Sequence, residues 1–292
     1  MKVRQICPFQ LKPEAIISTR TNSKAHARTL NQSNIVADNA SLCADVPSNS
    51  SHRPLQGQVA LVTGASSGIG RAIALELARS GLKVCLVGRS RQKLREVREQ
   101  AEKTADKVLD ISADLGQTRA IGRLEKLVRR ELGELNILVH CAGVISLGGI
   151  ETAQVEDFKR QLAIDLIGPY VLTKTFLNSL KRTRGNVVFI NSSIVYNPRA
   201  GTIQFGATQH ALKGFADGLR AEVNDFGIRV LSVFPGRTAT PRQQRLYRLE
   251  GRAYTPEQLL QPEDIARTIV SALSLPPSAE VTDIHLRPAM KS

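Results

Sequence analysis

From Gln58 onward the chain alternates between short runs rich in Val, Ile and Leu and longer stretches in which apolar residues recur every three or four positions. The first pattern is typical of buried strands and the second of amphipathic helices. Successive strands joined by helices require crossover connections, which produce a mostly parallel sheet with helices on both faces. The sequence therefore predicts a single α/β domain, a doubly wound parallel sheet, over residues 57–292.

The periodicity also predicts the individual elements. Strands are expected at residues 59–63, 83–87, 108–111, 137–140, 187–190, 229–233 and 281–286. Helices are expected at residues 69–80, 92–103, 117–132, 155–180, 203–225 and 262–273. No internal repeat accompanies this pattern, so one domain accounts for all of it.

Residues 1–56 differ in composition from the rest of the chain. They hold seven Ser, five Asn and three Thr, with seven basic and three acidic side chains. Such a segment cannot bury enough apolar surface to fold on its own, so a disordered N-terminal extension is predicted. Because acid-poor leaders that contain Arg and Ser also occur as organelle transit peptides, a targeting segment is the alternative.

Charge and cysteine usage limit the classes of function. The 40 basic residues outnumber the 26 acidic ones, for a formal net charge of +14. Glu residues interleave with the basic ones along the helical stretches, so solvated helix faces are favoured over a nucleic-acid partner. The five His and four Cys lack the spacing of a metal site or a disulfide framework, which indicates a reducing compartment such as the cytoplasm. No apolar run is long enough for a membrane span.

The sharpest local signal is the segment 63–70, Thr-Gly-Ala-Ser-Ser-Gly-Ile-Gly, between the first predicted strand and the first predicted helix. Gly64 permits the tight turn, Gly68 lets the backbone approach a pyrophosphate, and Gly70 allows close packing of the helix. Phosphate groups would then lie on the free N–H groups of the helix N-terminus. The segment predicts a Rossmann-type dinucleotide site. The other predicted members of its phosphate loop are Ser66, Ser67 and Ile69.

The end of the second predicted strand bears on which dinucleotide binds. A site for NAD(H) places a carboxylate there, which accepts a hydrogen bond from the ribose 2′-hydroxyl. This chain carries Gly88, Arg89 and Ser90 instead. A guanidinium and a hydroxyl suit a 2′-phosphate, so NADP(H) is favoured over NAD(H). An Arg89 that merely begins a solvated helix is the alternative interpretation.

Together with four further motifs, the glycine segment makes the chain resemble the short-chain dehydrogenase/reductase family over residues 57–290. The motifs are Asp114-Leu115, Cys141-Ala142-Gly143, Asn191-Ser192-Ser193 and Pro235-Gly236-Arg237-Thr238-Ala239-Thr240. The resemblance implies that the pair at Asp114 and Leu115 lies by the adenine and that Ala142 and Gly143 contact the adenosine ribose. It also implies contacts to the nicotinamide carboxamide. These would come from Pro235, Gly236, Thr238 and Thr240.

Reductases of this family carry a tetrad of Asn, Ser, Tyr and Lys, and this chain departs from it. Ser193 matches the serine, whereas the other three tetrad positions are substituted. These are Phe205 for the tyrosine, Gln209 for the lysine and Asp165 for the asparagine. Phe205 cannot donate the proton that the tyrosine supplies, and loss of a general acid costs about 100- to 10,000-fold in rate. Gln209 cannot supply a cation, although its amide can hydrogen-bond the ribose hydroxyls of the cofactor.

Two functions therefore stay open. The first is an NADP(H)-dependent oxidoreductase that acts on a small carbonyl or alcohol with a remodelled proton donor, for which Tyr196 and Asp165 are candidates. The second is a catalytically silent NADP(H)-binding sensor or partner subunit, which the substitutions at Phe205 and Gln209 favour. The resemblance also implies a homodimer or homotetramer built on the predicted helices 155–180 and 203–225. The resemblance also implies a lid in the segment after Pro235, through Thr255. Its four arginines would suit an acidic substrate, or they belong to a solvated helix face. They are Arg242, Arg245, Arg248 and Arg252.

Overall fold

The computed structural model describes residues 55–289, apart from the side chains of Thr118 and Ala120. The predicted N-terminal extension lies outside these residues except for its last two positions, so its disorder and its targeting role stay predictions. Among the residues described, no helix is long and apolar enough to cross a membrane.

A seven-stranded, fully parallel sheet organises the described part of the chain. Its strands are β1 (Val59–Thr63), β2 (Lys83–Gly88), β3 (Val108–Ser112), β4 (Ile137–His140), β5 (Asn186–Ile190), β6 (Arg229–Pro235) and β7 (Asp283–Leu286). Their order across the sheet is β3-β2-β1-β4-β5-β6-β7, so the strand order reverses between β1 and β4. Ligands of such sheets bind at this reversal, outside the carboxyl ends of the strands. The predicted doubly wound fold is confirmed.

Helices cover both faces of the sheet. They are α1 (Gly68–Arg79), α2 (Arg91–Ala101), α3 (Thr118–Ile121), α4 (Leu124–Glu131), α5 (Val155–Leu162), α6 (Gly168–Thr183), α7 (Ile203–Val223), α8 (Pro241–Leu249) and α9 (Pro262–Leu273). On β1, Ala60 and Val62 face the layer of α1, α2 and α9, while Val59 and Leu61 face the layer of α4, α6 and α7. All four side chains are buried, as expected for a parallel sheet between two helical layers.

Three elements differ from the sequence prediction. The expected helix 117–132 is split into α3 and α4 around Gly122, a residue type with low helix propensity. The expected helix 155–180 contains a π turn, Ala163–Ile167, and resumes as α6 with Pro169 in its first turn, where the missing N–H has no helical partner to lose. The periodicity did not predict α8, which lies within the segment for which the resemblance implies a lid.

Candidate active site

A cleft of about 330 Å³ opens at the carboxyl edge of the sheet. It is lined by the loops that follow β1 to β6 and by parts of α7 and α8, and its volume suits a small-molecule site. The structure brings nineteen of the predicted site residues to this one cleft, whereas Ser90 and Tyr196 lie outside its lining. The nineteen are Gly64, Ser66, Ser67, Gly68, Ile69, Gly70, Arg89, Asp114, Leu115, Ala142, Gly143, Asp165, Ser193, Phe205, Gln209, Pro235, Gly236, Thr238 and Thr240.

The glycine loop between β1 and α1 has a shape that larger residues cannot adopt. Gly64 has a φ of +69°, and a Cβ at this position would lie 2.9 Å from backbone atoms of Ala142. A Cβ on Gly70 would overlap the carbonyl oxygen of Gly64. Gly68 has a φ of +54°, and its Cβ would lie 3.0 Å from Cγ2 of Thr240. The glycines thus let the loops after β4 and β6 approach the start of α1 closely.

The N-terminus of α1 faces the cleft without a side-chain cap. Ser67 occupies the N-cap position in an extended conformation, and its hydroxyl accepts no hydrogen bond from the helix. No acidic residue lies in the first turn. The first N–H groups of a helix have no intrahelical acceptor and carry a partial positive charge. The cradle that these groups form with the three glycines fits the diphosphate of a dinucleotide.

Thr63, the last residue of β1, fixes the opposite wall of the cleft. Its Oγ1 donates a hydrogen bond to the carbonyl oxygen of Val139 at 3.1 Å. The same oxygen accepts the N–H groups of Cys141 and Ala142 at 2.9 and 3.1 Å. One buried hydroxyl therefore holds the loop after β4 against the glycine loop. The glycine motif marked this residue, but the sequence did not predict its role.

The edge of the cleft by β2 carries a guanidinium and not a carboxylate. Arg89 is exposed, and its side chain forms no hydrogen bond or ion pair with any residue that the structure describes. Ser90 caps α2 by accepting the N–H of Lys93 at 3.4 Å and does not line the cleft. Ser66, in contrast, lies beside the end of β2: its Oγ would be 3.3 Å from a Cβ placed on Gly88, the last residue of that strand. The hydroxyl available at this edge is thus that of Ser66, contrary to the expectation for Ser90.

Ser193, Phe205 and Gln209 form the other end of the cleft. Ser193 opens a 3₁₀ turn after β5, and the other two lie one turn apart near the start of α7. Nδ2 of Asn191 donates to the main-chain oxygen of Gln209 at 3.1 Å, which anchors α7 to the end of β5. The Gln209 side-chain amide forms no hydrogen bond within residues 55–289 although the residue is only 4% exposed.

Asp165 places a buried carboxyl beside the loop after β4. It is 3% exposed, and its Oδ1 accepts the N–H of Val144 at 2.8 Å. Burial raises the pKa of this carboxyl to about 7, while the Val144 hydrogen bond and the positive charge of Arg242 oppose the rise. At neutral pH the carboxyl therefore exists in both its protonated and its ionised form.

Two other titratable groups at this end, His140 and Cys141, are held neutral. Burial lowers the pKa of His140 to about 3, and its Nε2 is 2.9 Å from Oγ1 of Thr173. Burial raises the pKa of the Cys141 thiol to about 12, so that the reactive thiolate is scarce. Of the residues described as lining the cleft, none is a tyrosine or a lysine. Asp165 is therefore the acid in this cleft whose pKa lies near neutrality.

Tyr196 does not line the cleft, so its assignment as a candidate proton donor was wrong. Its ring lies 5.2 Å from that of Phe234 and 4.8 Å from that of His285, centroid to centroid. The side chain is 47% exposed. Aromatic packing on β6 and β7 turns this tyrosine away from the site, which the spacing from Ser193 alone could not reveal.

Comparison with known proteins decides the family. The family model described as short chain dehydrogenase matches residues 58–250. The chain belongs to the short-chain dehydrogenase family. An uncharacterized oxidoreductase of Staphylococcus epidermidis is 32% identical to it over 232 residues, which cover 79% of this chain and 97% of that relative.

Two other similar proteins differ in how much of their own length the match covers. The glycine betaine reductase ATRR of Emericella nidulans is 33% identical over 240 residues, which cover 80% of this chain. The match spans only 19% of that relative, which is a much longer protein. The crystal structure of a metagenomic short-chain oxidoreductase in complex with NADP has 28% sequence identity and a TM-score of 0.70. It covers 81% of this chain and 99% of that chain.

Two arginines of this short-chain dehydrogenase line the cleft, although the sequence did not predict them as site residues. Arg237 lines the cleft and pairs through Nη2 with Glu250 at 2.9 Å. Arg242 lines the cleft and donates from Nη2 to the carbonyl oxygen of Gly143 at 2.5 Å. Both belong to the segment after β6. Its arginine content was the available signal, but the position of α8 was needed to separate these residues from the solvent-facing ones.

Proposed function

We propose that this short-chain dehydrogenase binds NADP(H) and interconverts a small carbonyl compound and its alcohol, with Asp165 in place of the usual tyrosine as the proton donor. The main support for the proposal is that one cleft brings together the dinucleotide-loop residues, Ser193, and the Asp165 carboxyl, whose pKa is about 7. The bound nicotinamide would supply the hydride chemistry, and the protein would supply orientation and the proton.

The residues that would hold the cofactor follow from the geometry of the cleft. The N–H groups at the start of α1 suit the diphosphate, and the Arg89 guanidinium with the Ser66 hydroxyl suits a 2′-phosphate. Asp114 and Leu115 would contact the adenine. The adenosine ribose would be held by Ala142 and Gly143, and the nicotinamide ribose by Gln209. The carboxamide would be held by Pro235, Gly236, Thr238 and Thr240. The similar oxidoreductase in complex with NADP supports the choice of cofactor.

Asp165 has the properties that a proton donor needs. Its Oδ1 is engaged by the N–H of Val144, which leaves Oδ2 as the oxygen that would carry the proton. A pKa near 7 places the proton within reach of transfer at neutral pH, since general acids act best when their pKa lies near the working pH. The proton would pass to the substrate oxygen directly or through one water, and Ser193 would orient that oxygen.

A catalytically silent NADP(H)-binding protein is the second candidate. Phe205 and Gln209 favour it, because neither can replace the phenol and the ammonium of the family tetrad. Under this alternative the cleft would bind the dinucleotide as a signal or a structural ligand. Asp165 would then contribute only its hydrogen bond to the loop after β4.

The wild type and two variants separate the two candidates when NADPH oxidation is followed across a panel of aldehydes and ketones. Catalysis through Asp165 predicts measurable turnover in the wild type and a loss of about 100-fold or more in Asp165→Asn. A silent protein predicts no turnover in either. The double variant Phe205→Tyr with Gln209→Lys should then raise or create turnover if the rest of the site is competent. Turnover that Asp165→Asn leaves intact would refute the proposed proton donor.

We further propose that the protein assembles as a homodimer or homotetramer. The exposed apolar side chains on or beside α5, α6 and α7 support this proposal. They include Val155, Ile167, Tyr170 and Ile203. Contiguous exposed apolar residues are typical of protein interfaces. Light scattering of the full chain would test it, and a monomeric mass would refute it.

A further inference from the structure

A guanidinium from the lid reaches into the cleft without an assigned function. Arg242 is the second residue of α8, and its Nη2 donates to the carbonyl oxygen of Gly143 on the opposite wall. A guanidinium has five N–H donors, so further donors remain for a ligand. Arg245 and Arg248 of the same helix do not line the cleft.

The position of Arg242 within its helix is electrostatically unfavourable. It lies in the first turn of α8, next to Pro241, where the partial positive charge of the helix N-terminus repels a cation. Thr240 caps this end, because its Oγ1 accepts the N–H of Gln243 at 3.1 Å. The helix is therefore well terminated without Arg242, and the stability of α8 does not explain a guanidinium there.

The acidic side chains described near the cleft form no ion pair with Arg242. Glu250 is paired with Arg237 at 2.9 Å and with Arg252 at 3.4 Å. Asp114 accepts the N–H of Gly116. Asp165 is the acid whose charge interacts with Arg242, and its burial keeps a fraction of it protonated at neutral pH. Arg242 forms no ion pair with any residue that the structure describes, so its guanidinium is placed to attract an anion into the cleft.

The position of Arg242 in the cleft indicates which anion would bind near it. Thr240, two residues earlier, lies against Gly68 at the start of α1, and Gly143 belongs to the facing loop. Arg242 thus joins the loop after β4 to the start of α8, whose N-cap residue Thr240 lies against the N-terminus of α1. Under the proposed function, on which this inference rests, the diphosphate of the dinucleotide lies on that N-terminus.

We propose that Arg242 is a diphosphate-binding residue carried by the lid, which exchanges the Gly143 carbonyl for phosphate oxygens when the dinucleotide binds. Arginine suits this role because its planar N–H fork can bind two phosphate oxygens at once. The residue also supplies to the cofactor a positive charge that Gln209 cannot supply. Closure of α8 and retention of the cofactor are thereby coupled.

Calorimetric titration of the full chain with three ligands tests the proposal. NADPH and 2′-phospho-ADP-ribose contain the diphosphate, whereas 2′-AMP does not. Arg242→Gln should weaken the binding of the first two by about tenfold or more, since a charge-assisted hydrogen bond is lost, and should leave 2′-AMP unchanged. Arg245→Gln, the matched control, removes the same charge from the same helix outside the cleft and should leave all three affinities unchanged.

The possible outcomes are distinct. Equal affinity of the wild type and Arg242→Gln for NADPH would overturn the proposal. An equal loss for all three ligands, or the same loss in Arg245→Gln, would also overturn it, because the effect would not be specific to the diphosphate. A wild type that binds none of the ligands would instead refute the proposed function itself. Matching thermal unfolding midpoints of the three proteins would confirm that the variants are folded.

Discussion

The Asp165→Asn substitution should stabilise the protein more as the pH rises. Burial raises the pKa of this carboxyl from its ordinary value of 3.8 to about 7. Between those pH values the folded protein retains a proton that the unfolded chain releases, so the wild type loses stability as the pH increases through this range. The difference between these two pKa values corresponds to roughly 4 kcal/mol in total.

The asparagine variant does not titrate, yet its side-chain oxygen can still accept the N–H of Val144. Its stability relative to the wild type should therefore rise by roughly 3 kcal/mol between about pH 5 and pH 8, because the lower part of the shift lies below this range. Urea unfolding followed by circular dichroism at each pH measures the difference. A stability difference that stays constant with pH would refute the burial argument for Asp165.

Asp217→Asn is a control of opposite character. This carboxylate pairs with Lys213 at 2.6 Å and with Arg220 at 2.9 Å. Burial raises its pKa, but the two partners together outweigh burial and hold the pKa below the ordinary value. Its contribution to stability is fully present above the unfolded pKa and is lost only as the pH falls through the lower, folded value. The variant should thus show a pH-independent loss of stability from about pH 5 to pH 8.

Three further predictions concern glycines and a helix cap. Gly64→Ala should destabilise the fold by about 2 kcal/mol or more and abolish NADPH binding. The φ of residue 64 is +69°, and the added Cβ would lie 2.9 Å from backbone atoms of Ala142. An unfolding midpoint equal to that of the wild type would contradict this prediction. Gly218→Ala, in α7 with nothing within 4 Å of the new Cβ, should instead stabilise the protein by about 0.5–1 kcal/mol in the same urea titration. Ser90→Ala should lower stability by about 1 kcal/mol through the lost α2 cap and leave the NADPH affinity unchanged; weaker NADPH binding would restore a cofactor role to Ser90.

The fold was predictable because the sequence repeats the same signal many times. Each strand is a short apolar run, and each glycine or polar motif follows a strand end, so errors in one element do not change the topology. Strand β4 and helix α9 have the predicted bounds. The convergence of the site residues on one cleft also follows, because the carboxyl ends of parallel strands lie at one edge of the sheet.

The electrostatic features of the site were not predictable from local sequence. The raised pKa of Asp165 depends on burial at a π turn, and the helical periodicity predicted an uninterrupted helix there. The position of Arg242 depends on where α8 begins. The segment contains four arginines separated by mostly polar residues, and this pattern does not reveal which arginine faces the cleft. Tyr196 was misplaced for the same kind of reason, since its contacts lie on β6 and β7, far along the chain.

Parallel titration of the full chain with NADPH and NADH, followed by nicotinamide fluorescence, tests whether this short-chain dehydrogenase binds NADP(H) at the cleft. The chain has no tryptophan, so protein emission contributes little to the signal. We expect micromolar binding of NADPH, much weaker binding of NADH, and an Arg89→Gln variant that loses the preference for NADPH while its affinity for NADH stays the same. Failure of the wild type to bind either nucleotide would refute a dinucleotide site in this cleft.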